Sequence, residues 1–269
     1  MILTKIIAAA NQKGGVGKTT TVINLASCLA EQGKKVLVID MDPQGNTTSG
    51  LGLDKNELEN TVYELLMGEK TAEECRLHIK YKKHDDIKKL FLIPSDVGLA
   101  GAEVELVGTD RKEFLLKEKI APIRDNYDYI LIDCPPSLNI LTVNALTAAD
   151  SVLIPIQCEF YALEGLAQLL YTIKLIRERL NEHLTIEGIV FTMYDSRIRL
   201  SGQVVDDVKE NLDVYLFKNM IPRNVRLAEA PSYGMPINVY DRKSEGAKAY
   251  KKLAKELIRK GTKNATQGS

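Results

Sequence analysis

Residues Asn11 to Thr20 read Asn-Gln-Lys-Gly-Gly-Val-Gly-Lys-Thr-Thr, an order of residue types suited to holding a polyphosphate. Glycines at 14, 15 and 17 let the backbone turn its N–H groups inward around phosphate oxygens, and a helix starting after them adds the positive end of its dipole. In such a loop Lys18 reaches the β- and γ-phosphates, Thr19 offers its hydroxyl to Mg²⁺, and Gly14, Gly15, Val16, Gly17 and Thr20 complete the cradle. The usual P-loop spacing has a glycine where this chain has Gln12, and a second lysine, Lys13, stands beside the double glycine. The backbone and Lys18 already neutralise a bound polyphosphate. Lys13 is therefore read as acting in trans, on the nucleotide of a second subunit, as an arginine finger would; a solvated loop lysine is the other reading.

Two acidic segments complement this loop. Asp133 closes Tyr-Asp-Tyr-Ile-Leu-Ile-Asp, an apolar run ending in a carboxylate, the arrangement that holds a nucleotide's magnesium directly or through water. Asp40-Met-Asp-Pro-Gln-Gly-Asn46 follows another apolar run. Phosphoryl transfer to water needs a group that places the nucleophile in line and helps remove its proton. Asp40 is the candidate for that role and Asp42 for a switch that senses metal or phosphate. Aspartates capping a turn are the competing account at both places.

The elements that must carry these residues are apolar runs separated by helical stretches. The runs are Ile6 to Ala10, Val36 to Ile39, Leu90 to Ile93, Tyr129 to Ile132, Val152 to Ile156 and Ile186 to Thr192. Their β-branched, unbroken character predicts strands buried on both faces. Helices are expected near 18–32, 57–67, 111–124, 138–148, 160–180, 201–211 and 245–260. The alternation predicts an α/β fold: a doubly wound, mostly parallel sheet flanked by helices, with ligands beyond the carboxyl ends of its strands. Residues 1–261 read as one P-loop domain and 262–269 as a polar, flexible tail.

With 269 residues and 45% apolar content, the chain can bury one large core. Cys28, Cys75, Cys134 and Cys158 are scattered without a C-x-x-C pair, which argues against a disulfide framework or zinc site and for reduced cytoplasmic thiols. The N-terminal segment lacks a basic region and cleavage site, and no apolar run is long enough to span a bilayer. Net charge is zero but unevenly spread: residues 190–269 carry fifteen basic against nine acidic side chains, and residues 1–189 carry 21 against 27. That asymmetry suggests a face able to meet a polyanion.

Taken together, Asn11 to Thr20, Asp40 to Asn46, Ile132 to Ser137, Pro155 to Gly165 and Ile221 to Arg226 resemble the ParA/Soj chromosome- and plasmid-partitioning ATPases of the deviant Walker A group. The resemblance implies an ATP-dependent, magnesium-requiring sandwich homodimer with weak basal hydrolysis, Lys13 as the intermolecular lysine and Asp40 as the hydrolysis residue. It further implies that the ATP-bound dimer binds non-specific DNA and associates with the nucleoid. A ParB/Spo0J-like centromere-binding protein then stimulates hydrolysis and releases it. Pro222 and Asn224 match the segment lining the adenine pocket, and Arg197 and Arg226 match DNA-contacting positions.

Arg197, Arg199, Arg223, Arg226, Arg242, Lys243 and Lys248 all lie in the basic portion, where phosphate contacts give affinity without reading sequence. Three other functions share parts of this pattern. A MinD-like membrane-positioning ATPase needs a C-terminal amphipathic anchor, for which Ala247, Tyr250, Ala254, Leu257 and Ile258 offer a face. An electron-transfer iron protein needs paired cysteines at a dimer axis. A nucleotide-binding scaffold needs neither.

Overall fold

Alternate residues of each apolar run face opposite sides of one sheet and supply two separate cores. The computed structural model describes residues 4–82, 84–159 and 162–267. Its strands are β1 (Lys5–Ala9), β2 (Val36–Asp40), β3 (Leu77–His78), β4 (Leu90–Ile93), β5 (Tyr129–Asp133), β6 (Ser151–Gln157) and β7 (Thr185–Thr192). They pair in the order β3-β4-β2-β5-β1-β6-β7, all parallel except the antiparallel β3–β4 edge. Ile6, Ala8, Leu37, Ile39, Ile130 and Ile132 face one core, while Ile7, Ala9, Val36, Val38 and Leu131 face the other. This two-residue period on strands covered on both faces explains why the runs are apolar throughout.

The helices are α1 (Lys18–Glu31), α2 (Asn46–Gly50), α3 (Val62–Met67), α4 (Ala72–Cys75), α5 (Leu99–Glu105), α6 (Leu115–Ile120), α7 (Ile140–Ala148), α8 (Ala162–Arg179), α9 (Arg199–Asn211), α10 (Val225–Glu229), α11 (Ile237–Tyr240) and α12 (Glu245–Gln267). The doubly wound α/β architecture predicted from the sequence is present. Several boundaries differ for local reasons. The helix expected from residue 57 starts at Val62, because the Thr61 hydroxyl accepts the Tyr63 N–H and the Glu64 carboxylate accepts the Thr61 N–H. The stretch expected as one helix over 111–124 is α6 between two 3-10 turns, the second containing Pro122. The short elements α2, α4, α5, α10, α11 and β3 carry too few residues to show a period. Helix α12 continues to Gln267, so most of the stretch expected as a tail is helical backbone; residues 268 and 269 lie outside the described residues.

Helix α12 packs on α1 through Ala247, Tyr250, Leu253, Ala254 and Leu257, all buried, so the apolar face considered for a membrane anchor is covered by the protein itself. Among the described residues no helix is long and apolar enough to cross a membrane. Near the end of α12, Lys260 Nζ meets the Glu187 carboxylate at 2.8 Å; Lys5 Nζ lies 2.5 Å from the same carboxylate and the Ser151 hydroxyl donates to it at 2.7 Å. Glu187 is 1% exposed. Its burial opposes ionisation, but the two ammonium groups outweigh it and hold the carboxyl below its ordinary range.

Strand register fixes the chemistry-bearing ends. Pairing of β2 with β5 sets Asp40 opposite Asp133, and pairing of β1 with β5 sets Ala9, the last residue of β1, opposite Asp133 as well. The segment after α2 is tied to the 230–235 turn where Gly52 and Gly234 meet backbone to backbone. Gly234 has φ 61°, and a Cβ there would lie 2.6 Å from the Gly52 Cα. Gly234→Ala is expected to destabilise the fold by about 1–3 kcal/mol. A lowered urea midpoint at unchanged m-value is the expected reading, and an unmoved midpoint would show that this backbone contact yields at no cost.

Candidate functional site

The loop between β1 and α1 curls because Gly15 and Gly17 sit at φ 75° and 84°, in the left-handed region. Thr192, at the end of β7, donates its hydroxyl to the Val16 carbonyl at 2.8 Å and braces the loop from the side. Lys18 Nζ folds back to the Lys13 carbonyl at 3.3 Å. Burial holds the Lys18 ammonium below its ordinary range, against the opposing pull of Asp133. Gly14, Gly15, Gly17, Lys18, Thr19, Thr20 and Asp42 border an open cavity of about 350 Å³, together with Gln44 and Asn46. Val16 is buried beneath the loop and contributes its backbone rather than a cavity wall.

The two acidic segments meet under this cavity. Asp133 is fully buried, and its Oδ2 accepts the hydroxyls of Thr19 and Thr47, each at 2.7 Å. Its Oδ1 is buried without a partner. A buried carboxylate with one oxygen free, next to a threonine hydroxyl at the cavity wall, fits a hard divalent cation such as Mg²⁺. Asp40 is also fully buried, one strand over. Its Oδ2 accepts the Thr48 N–H at 2.9 Å and the Thr48 hydroxyl at 2.7 Å, and its Oδ1 accepts the Asp42 N–H at 3.2 Å. Burial raises both carboxyls above their usual range, and the charge of Asp133 pushes Asp40 further in the same direction. Asp42, not Asp40, stands at the cavity wall.

Beside the phosphate cavity lies a second, mostly apolar one of about 330 Å³, bordered by Thr20, Met193, Ile221, Pro222, Asn224 and Tyr250 among others. Gly17 and Thr20 border both cavities, so the pair forms one continuous site with a charged and an apolar half. Pro222 and Asn224 both border this apolar cavity. Lys13 points elsewhere: its Nζ pairs with Glu159 at 2.8 Å, with both side chains partly exposed. Phe160 and Tyr161, in the same segment as Glu159, lie outside the described residues.

Arg197 and Arg226, assigned to a polyanion face, are exposed but already engaged. Asp195 accepts Arg197 N, Nε and Nη2 at 3.0, 2.9 and 2.7 Å, which holds the Asp195 carboxyl down at about 2. Arg226 pairs with Glu229 at 2.9 Å and lies 3.7 Å from Asp241. The two loops run side by side, with Arg223 N–H donating to the Tyr194 carbonyl at 3.2 Å. Arg242 does not join them: it pairs with Glu31 and Asp86, at the end of α1 remote from the glycine-rich loop.

Sequence reading missed Thr47, Thr48, Glu159, Thr192, Met193 and Tyr250. The neighbouring hydroxyls Thr47-Thr48, just after an acidic turn, were the one available signal. All four cysteines are buried, and burial raises the Cys134 thiol above its ordinary range.

Comparison with known proteins agrees with this geometry. Residues 4–186 match a family model described as "AAA domain". Over 257 residues the chain is 53% identical to the sporulation initiation inhibitor protein Soj of Bacillus subtilis (strain 168), covering 96% of this chain and 99% of that protein. It is 50% identical over 255 residues to the chromosome-partitioning ATPase Soj of Treponema pallidum (strain Nichols), covering 94% and 97% respectively. Among solved structures, cobyrinic acid a,c-diamide synthase from Mycobacterium smegmatis with bound ADP and magnesium is similar with a TM-score of 0.83 at 38% identity, covering 96% of this chain and 95% of that one.

The raised Asp40 carboxyl has a measurable consequence. The folded chain binds this proton more tightly than the unfolded chain, so the site's contribution to stability is greatest below the ordinary carboxylate pKa of about 4. It is lost as the pH rises through the raised folded value. In protein free of nucleotide and magnesium, Asp40→Asn should flatten the loss of stability between about pH 4 and neutrality and stabilise the neutral form by about 1–3 kcal/mol. Urea unfolding across that range checks it; a slope equal to wild type would show that Asp40 does not hold the proton.

Proposed function

The chain belongs to the ParA/Soj family of chromosome-partitioning ATPases and is itself an ATPase, and from that premise we propose that it segregates DNA through an ATP-gated homodimer. The observation that carries this reading is the gathering of Lys18, Thr19 and Asp42 around the phosphate cavity, with Asp133 hydrogen-bonded to Thr19 behind its wall and the apolar cavity at Pro222 and Asn224 alongside.

ATP lies with its base against Pro222 and Asn224 and its phosphates in the loop of Gly14 to Thr20. Thr19 and Asp133 are the residues that would hold Mg²⁺, whose charge neutralises the phosphate oxygens as the terminal bond breaks. Lys18 holds the β- and γ-phosphates, Asp42 reports on their presence, and Asp40 orients the attacking water after Thr48 releases it. Lys13 leaves Glu159 and crosses to the partner's nucleotide, so that two bound triphosphates join two subunits.

Dimerisation doubles the basic face around Arg197 and Arg226, and avidity then couples nucleotide state to non-specific DNA binding. For a DNA phosphate to use Arg197 it must displace Asp195. A ParB/Spo0J-like protein stimulates turnover and so ends DNA attachment. The chain acts in the cytoplasm, on the nucleoid while ATP-bound.

Titration of non-specific DNA with ATP, ADP or no nucleotide at several salt concentrations tests this. Asp40→Ala should dimerise and bind DNA while hydrolysing little. Lys13→Ala should stay monomeric, and Arg197→Ala should dimerise yet lose about tenfold or more in DNA affinity, with a shallower salt dependence. DNA binding indifferent to nucleotide would defeat the gating, and normal turnover by Asp40→Ala would remove that residue from the chemistry.

A further inference from the structure

Among the described residues, the non-glycine residues with positive φ are Arg111, exposed in a surface turn, and Met193. Met193 has φ 49°, in the left-handed region, where the Cβ of an L-residue crowds the following carbonyl oxygen and the conformation persists only when its surroundings impose it.

The residues on either side of Met193 are fixed to different parts of the molecule. Thr192, at the end of β7, donates its hydroxyl to the Val16 carbonyl of the glycine-rich loop at 2.8 Å. Tyr194 donates its N–H to the Ile221 carbonyl at 3.0 Å and accepts the Arg223 N–H at 3.2 Å, which ties it to the segment of Pro222. Met193 alone spans these two anchorages, so its backbone sets the direction in which the chain leaves the nucleotide site. The chain then enters the Arg197 turn, where the Asp195 carboxylate accepts the Arg197 N–H at 3.0 Å and the Asp195 carbonyl accepts the Ile198 N–H at 3.1 Å. Ser196 to Leu200 are all exposed, so the turn has little packing of its own to hold it.

Met193 also borders both the phosphate cavity and the apolar cavity beside it, and its side chain is half-buried. A flexible thioether follows the shape of whatever packs on it. The strained residue is therefore the one that touches a ligand on one side and carries the Arg197 turn on the other.

We propose that Met193 is a positioning residue that couples occupancy of the apolar cavity to the order of the Arg197 turn within a single subunit. A nucleotide base in the cavity packs on the Met193 side chain in its left-handed setting and stabilises that setting by the contact it gains there; with the cavity empty, the strain opens the turn. The ligand class is a nucleoside di- or triphosphate, because the contact is with the apolar half of the site. Ordering of the turn thus needs only the base, whereas doubling of the basic face needs the triphosphate and a second subunit. The bearing of this turn on DNA rests on the function proposed above; its ordering does not.

Hydrogen exchange of the Tyr194, Arg197, Ile198 and Arg223 amides in the full chain, without nucleotide and with saturating ADP and magnesium, tests the ordering. In wild type ADP should slow their exchange about tenfold or more. Met193→Ala keeps a residue that disfavours positive φ but removes the side chain, and should lose that slowing. Met193→Asn supplies a residue type that tolerates the left-handed backbone, and should slow exchange about threefold or more with the cavity empty. A role in packing alone would loosen the turn in both variants. Wild-type exchange indifferent to ADP overturns the proposal, as does a Met193→Asn turn that exchanges as fast as that of Met193→Ala in the empty protein. Should Met193→Ala retain no ADP, the empty-site comparison still decides. In the Asp40→Ala background with ATP, adding Met193→Ala should leave the dimer intact and weaken DNA binding about tenfold. Unchanged DNA affinity there removes the ordered turn from DNA attachment. Absence of DNA binding by wild type with ATP would instead defeat the cycle proposed above, with the relay still decided by the exchange measurements.

Discussion

The side-by-side burial of Asp40 and Asp133 is the constraint around which the rest of this molecule is arranged. The register of β2 on β5 places the two carboxylates on neighbouring strand ends, both out of water, and two such groups cannot ionise together without compensation. The surrounding structure supplies that compensation. Thr19 and Thr47 serve one acid, Thr48 and the Asp42 backbone serve the other, and the Lys18 ammonium is held nearby despite its own burial. Every one of these groups comes from the glycine-rich loop or from the turn after β2, so the electrostatics of the pair tie both loops to the sheet edge. Among the described residues, Oδ1 of Asp133 is left without a hydrogen-bond partner, so the compensation is incomplete there.

The polar interactions around the nucleotide site share a second property: several active groups are held by partners inside the same chain. Asp40 is held by Thr48, Lys13 by Glu159, and Arg197 by Asp195. The last two pairs are partly to largely exposed, where water weakens an ion pair. Asp40 differs because it is buried and its hydrogen bonds are screened from water, so its release requires movement of backbone rather than a change of side-chain partner. The exposed charges are thus weakly held and the interior carboxylate strongly held.

The sheet was legible because burial on both faces forces unbroken apolar runs, and the phosphate loop because few residue orders allow its turn. Asp40 and Asp133 stood out because each ends an apolar strand, whereas Pro222 and Asn224 were singled out by the family resemblance. What the sequence left unreadable was tertiary. Glu159 meets Lys13 from far along the chain, and Thr48 joins Asp40 through a hydroxyl on the five-residue helix α2, too short to announce itself in the sequence. Arg242 counted as part of the basic face by position, yet Glu31 and Asp86 draw it to the opposite end of α1. Helix α5 went unseen because Gly101 lowers its intrinsic preference and its seven residues are too few to show a period.

Glu187, enclosed near the start of β7 by Lys5, Lys260 and Ser151, joins the first strand, the sixth, the seventh and the last helix in one knot of charge. Shortening the chain from its carboxyl end is harmless in these terms only until Lys260 is reached. Beyond that the deletion strips one ammonium from an interior acid and leaves the seventh strand with a dehydrated anion. Affinity handles, fluorophores and fusion partners therefore belong after this lysine, where they extend a helix rather than unseat it.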